Sequence, residues 1–93
     1  MDKIKAIGML SALAQPTRMD VFLTLSRRGD GMSVGELANH METLPNSMST
    51  HLSVLSRAGI VTATRAGRVV TYAVDPDAAK ALAVFLLESG RQN

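Results

Sequence analysis

Between Pro45 and Gly59 the chain carries Asn46, Ser47, Ser49, Thr50, Ser53 and Arg57, and Arg65 and Arg68 follow shortly after. Short hydroxyl and amide side chains can pair with the edges of nucleic-acid bases, and a guanidinium can grip a phosphate. On a helical wheel, at about 100° per residue, Asn46, Ser49, Thr50, Ser53 and Arg57 fall on one side. Met48, Leu52 and Leu55 fall on the other. Solvated helix faces are usually filled with Glu and Lys, which are strong helix formers. This polar face has neither, and its short residues are weak helix formers. Small side chains would instead let the helix backbone sink into a major groove. Base contacts in such docking come from the first turns. That assigns reading to Asn46, Ser49 and Thr50, with Ser47 beside them. Ser53 and Arg57 belong to the same interface, with Arg57 on a phosphate.

The charge distribution agrees. The 93 residues include 10 Lys and Arg against 8 Asp and Glu, a formal net charge of +2. No acid occurs from Thr43 to Val74, a stretch that contains Arg57, Arg65 and Arg68. The acids lie outside it, at Asp2, Asp20, Asp30, Glu36, Glu42, Asp75, Asp77 and Glu88. A polyanion would be drawn to the middle of the chain and repelled by its flanks.

The elements that must hold these residues can be read from periodicity and punctuation. Ile4, Ile7, Leu10 and Leu13 recur in steps of three, a helical stripe over about 3–14. Gln15-Pro16 interrupts it, because the residue before a proline is pushed out of the α region. Pro16 suits the first turn of a second helix, which runs to Arg28 with Met19, Phe22, Leu23 and Leu25 inward. Arg27 and Arg28 favour its negative end, and Gly29 stops it. Ser33 and Glu36 have the spacing of a capping box, opening a short helix to about Met41 with Val34, Leu37, Ala38 and Met41 inward. A fourth helix runs from Pro45 to about Ala58. The period then becomes strand-like. Residues 60–64 and 69–74 form two strands joined at Arg65-Ala66-Gly67-Arg68, with Val70, Tyr72 and Val74 on one face. Asp75-Pro76-Asp77 starts a last helix to about Ser89, with Ala78, Ala81, Leu82, Phe85 and Leu86 as its stripe.

The fold expected is mainly α with a small β-hairpin, in the order α-α-α-α-β-β-α: a winged helix-turn-helix making one domain of residues 1–93. Two short helices with a tight connection and a following hairpin have that character. Arg65 and Arg68 would flank the wing tip, close to a minor groove or its phosphates. His51 falls near the apolar side of its helix and is expected to be packed or backbone-bonded. His40 is expected on the surface.

The segment Leu13-Ala14-Gln15-Pro16-Thr17-Arg18-Met19 resembles the "L-A-x-P-T-R-hydrophobic" segment of ArsR-type winged-helix repressors. Ser49-Thr50-His51-Leu52-Ser53-Val54-Leu55-Ser56-Arg57-Ala58-Gly59-Ile60-Val61 is similar to that family's recognition helix and its continuation, and Arg65 to Tyr72 to its wing. The match runs in register from about Leu10 to Val74. Leu44-Pro45 departs from it, standing where many members have Ser-Gln. The resemblance implies a homodimer, formed by the first and last helices, that binds double-stranded DNA at a near-palindromic operator and blocks transcription until released. Ile4, Ile7, Leu10, Leu82, Phe85 and Leu86 are the expected dimer residues. An unburied apolar stripe on so small a domain would be an aggregation hazard, and a two-fold dimer buries it twice. The same residues could line a ligand pocket, and the releasing signal is left open.

Other classes fit less well. Without cysteine there is no disulfide and no thiolate metal site. The family's other metal site, across the last helices, uses Asp, His, His and Glu. Here its spacing falls on Asp75, Asp77, Glu88 and Arg91, without imidazoles and with one cation, so no metal and no cofactor is expected. No carboxylate pair or glycine-rich phosphate loop suggests an enzyme. No apolar run approaches a membrane span, no secretory leader is visible, and a cytoplasmic protein is expected. The rival reading is a winged-helix module that binds protein. It predicts acids or large apolar residues on the outer face of the fourth helix.

Overall fold

The computed structural model describes residues 1–91, with side chains through Ser89. Helices α1 (Lys3–Leu13) and α2 (Pro16–Arg28) lead through strand β1 (Met32–Ser33) to α3 (Val34–His40) and α4 (Pro45–Arg57). Strands β2 (Val61–Ala66) and β3 (Val69–Val74) then precede α5 (Pro76–Arg91). The architecture is the expected winged helix-turn-helix with one addition. The hairpin is part of a three-stranded antiparallel sheet, ordered β1-β3-β2. Met32 pairs with Tyr72 and Ser33 with Thr71.

Local chemistry explains the helix boundaries. Gln15 caps α2 by accepting the Arg18 amide, and Pro16 occupies the first turn. Gly29 ends α2 at φ 75°. The Ser33–Glu36 capping box is closed in both directions, at 3.0 and 3.2 Å. The hydrogen bonds from the Ser33 amide and then its hydroxyl hold the Glu36 carboxyl below its ordinary pKa. The cap's contribution is therefore present above the unfolded carboxylate pKa and fades as pH falls through the lowered value.

The join between α1 and α2 has a tie that residue spacing did not reveal. Arg18 Nε donates to the Ala12 carbonyl at 2.6 Å, satisfying one of the orphan acceptors at the end of α1. Hydrogen bonds to charged groups contribute about 1.5–3 kcal/mol. Arg18→Ala is therefore expected to lower the unfolding free energy by about 1–2 kcal/mol. An unchanged denaturant midpoint would show the tie to be idle.

One core joins all five helices and the sheet: Met9, Val21, Leu25, Leu37, Met48, Leu52, Leu55, Ile60 and Val61 are almost wholly buried. The stripe on α1 assigns no inner face, and two inward assignments in α2 change. In α1 the buried residues are Ala6, Met9, Ala12 and Leu13, whereas Ile4, Ile7 and Leu10 are 82%, 56% and 41% exposed. This helix is apolar on nearly every side, so period alone could not choose its inner face. In α2, Val21 takes the core position, and Met19 and Leu23 face outward. Leu82, expected between subunits, is only 7% exposed and belongs to the domain's own core.

Candidate nucleic-acid interface

Helix α4 is held by its apolar side. Met48, Leu52 and Leu55 have no measurable exposure, while Asn46, Ser47, Ser49, Thr50, Ser53 and Arg57 are all exposed. Burying a large apolar side chain is worth about 1.5–3 kcal/mol, so three of them strongly fix the helix's rotation. The polar face points outward as a consequence. Thr50 adds a detail. Its hydroxyl donates to the Asn46 carbonyl at 3.2 Å, which leaves its oxygen free to accept from an outside donor.

The turn before α4 is sharp. Met41 caps α3, and Glu42 adopts φ 53°, a left-handed conformation that glycine usually supplies. The Glu42 amide reaches Asn39 O at 3.3 Å and the Thr43 amide reaches Ala38 O at 2.9 Å. Those two bonds form a Schellman motif, which angles α4 across α3. Leu44 then occupies the N-cap of α4 without any side-chain cap bond.

His51 is half-buried, as a packed residue would be, and its Nδ1 has no protein hydrogen-bond partner. Ser56 Oγ is likewise buried without a partner. His40 is exposed.

The hairpin is tighter than expected. Residues 65 and 66 belong to β2, with Arg65 opposite Val70 and Ala66 opposite Val69. Only Gly67 and Arg68 form the turn. Gly67 takes φ 63° at the first position, as a type II′ hairpin turn requires. Arg65 therefore lies on the strand face shared with Tyr72 and Val74, beyond the point where that face packs on the core. Both wing arginines are exposed. Among the described residues the one ion pair joins Arg28 to Asp30 at 3.6 Å. Arg57, Arg65 and Arg68 thus have no carboxylate partner among the described residues.

Of the residues at the metal-site spacing, Asp75 serves as a helix cap. Its Oδ1 accepts from the amides of Asp77 and Ala78 in α5, at 3.1 and 3.2 Å. The side chain of Arg91 lies outside the described residues. Among the described residues, no three His, Asp or Glu side chains form a group able to hold a metal ion.

A helix pair with a Schellman turn, an outward polar second helix and an arginine-tipped hairpin defines a winged helix-turn-helix protein. The model of a helix-turn-helix domain family matches residues 13–63. The chain belongs to the ArsR family of winged helix-turn-helix regulators. It is 42% identical over 73 residues to the HTH-type transcriptional regulator CmtR of Mycobacterium tuberculosis, covering 76% of this chain and 59% of CmtR's length. It is 30% identical over 82 residues to the transcriptional activator HlyU of Vibrio cholerae, covering 88% of this chain and 74% of HlyU. A solved ArsR family transcriptional regulator superposes with a TM-score of 0.82 at 29% identity, over 99% of this chain and 93% of that one. The homodimeric winged helix-turn-helix DNA-binding domain of a possible ArsR-family regulator from Mycobacterium bovis shares the fold. Its TM-score is 0.75 at 22% identity, over 92% and 79% of the two chains.

Proposed function

We propose that this protein is a homodimeric, cytoplasmic repressor that occupies a near-palindromic operator in duplex DNA. Helix α4 enters the major groove. Asn46, Ser49 and Thr50, with Ser47, read base edges there, and Ser53 and Arg57 meet the backbone. Arg65 and Arg68 grip phosphates or the adjacent minor groove. The observation that carries this reading is the acid-free run from Thr43 to Val74, which supplies the exposed outer face of α4 and the wing. In it, exposed arginines lack carboxylate partners among the described residues. The rival protein-binding reading expects acids or large apolar groups along that face, and from Asn46 to Arg57 the face has none.

Titrating random-sequence duplex DNA at increasing salt tests it. Binding at low ionic strength should fall steeply and log-linearly with salt as counterions are released. Indifference to every duplex at low salt would refute the proposal.

The subunits pair through α1 and α5. Ile4, Ile7 and Leu10 are exposed on α1, as are Val84, Leu86 and Leu87 on α5, with Phe85 half-buried among them. Closed two-fold pairing would cover this apolar surface on both copies, and the M. bovis domain of the same fold is homodimeric. Ile7→Glu is expected to give a folded monomer, since Ile7 lies outside the core. Sedimentation of that variant as a dimer would place the interface elsewhere.

A further inference from the structure

Leu44 is the large apolar side chain nearest the start of α4, and it is 74% exposed. Its position is one where folding favours another residue type. An N-cap is normally Ser, Thr, Asp or Asn, whose oxygen satisfies a free amide of the first turn. Leu44 makes no such bond, and it does not belong to the core cluster or pack against it. Pro45 holds it in an extended conformation, φ −66° and ψ 141°. The three residues that follow it, Pro45, Asn46 and Ser47, are exposed too. Neither capping nor packing therefore explains a leucine here.

Contact with DNA does explain it. The first turns of a recognition helix lie closest to base edges. In the major groove only thymine presents a methyl group, and it is read by apolar contact. Resting on the DNA-binding reading above, we infer that Leu44 is a specificity-determining residue that selects thymine by covering its C5-methyl group. The polar residues that follow supply hydrogen bonds and Leu44 supplies the apolar contact, so each half-site contains at least one thymine read without a hydrogen bond.

The test compares the wild-type chain with Leu44→Ser. Serine is a favoured N-cap, so this variant folds at least as well, and thermal denaturation checks that it does. Both proteins select from randomised duplexes at low salt. The wild type should enrich a thymine in each half-site that the variant does not. Replacing that thymine with deoxyuridine removes the methyl group and nothing else. The wild type should then lose about fourfold in affinity per half-site, the equivalent of one buried methyl group, while Leu44→Ser loses nothing. Identical selected sequences, or a wild type indifferent to deoxyuridine, would overturn the assignment of Leu44 and leave DNA binding standing. Absence of any duplex binding by either protein would overturn both.

Discussion

The triple variant Arg57→Ala, Arg65→Ala, Arg68→Ala should bind duplex DNA far more weakly than the wild type, with a visibly flatter salt dependence. Each phosphate contact contributes about 0.9 to the slope of log affinity against log salt. Three arginines in each of two subunits make six contacts, so the slope should fall by about 5. A loss of this size removes detectable binding at physiological salt and leaves a residue at low salt. Folding should be unaffected. All three side chains are exposed, and none belongs to the core or to the Arg28–Asp30 pair. Circular dichroism and the melting temperature should therefore match the wild type. An unchanged slope in a folded variant would show that these cations do not sit on phosphates. The three single variants would then apportion the effect, with the wing pair expected to weaken all sequences alike.

Gly31→Ala should be the most damaging single substitution considered, through an unrelated cause. Gly31 is buried at φ 91°, a region that L-residues enter at a cost of about 1–2 kcal/mol. A Cβ there would also stand 2.5 Å from Thr71 Cγ2 and 3.0 Å from the Tyr72 carbonyl oxygen. The threonine methyl could turn aside, but the carbonyl belongs to the backbone of β3. Relief would separate β1 from β3, where Met32 pairs with Tyr72. We expect a loss of about 2–4 kcal/mol and a melting temperature lower by roughly 10–30 °C. Gly29→Ala is the matched control. Its φ is 75°, but nothing lies within 4 Å of the added carbon, so only the conformational cost of about 1 kcal/mol applies. Equal melting temperatures for the two variants would mean that the contact with β3 contributes nothing.

Strong local signals were the legible part of this fold. Prolines 16 and 45 lie in first turns, Ser33 and Glu36 close a capping box, and Gly29 ends α2. The two faces of α4 separated cleanly because its apolar residues are few and regularly spaced, and the exposure of every candidate reader follows from that geometry. Features that depend on distant partners were hidden. Strand β1 is two residues long and exists through pairing with a strand about forty positions away. The inner face of α1 is set by α2, α4 and α5 around it, and two alanines, Ala6 and Ala12, share that face with Met9 and Leu13. Leu82 follows the same logic from the other end of the chain: α5 turns it into the core and leaves Leu86 outside. Glu42 has a different cause. Nothing about glutamate suggests a left-handed backbone, and the requirement comes from the α3–α4 turn alone. Arg18 carries a charge that spacing could not tell from a solvated one, until the Ala12 carbonyl came within its reach.

Strand β3 runs without interruption from the Arg68 turn to Asp75, whose carboxylate begins α5. Six residues of strand span about 20 Å, and pairing on both edges stiffens the strand as a strut. In the proposed dimer each wing tip is thus the far end of a lever whose pivot is the intersubunit helix. A small rotation of one α5 against the other would swing the two tips through a larger arc and change the gap between them. In that dimer the operator spacing that both subunits can straddle would be set at a surface remote from the bases.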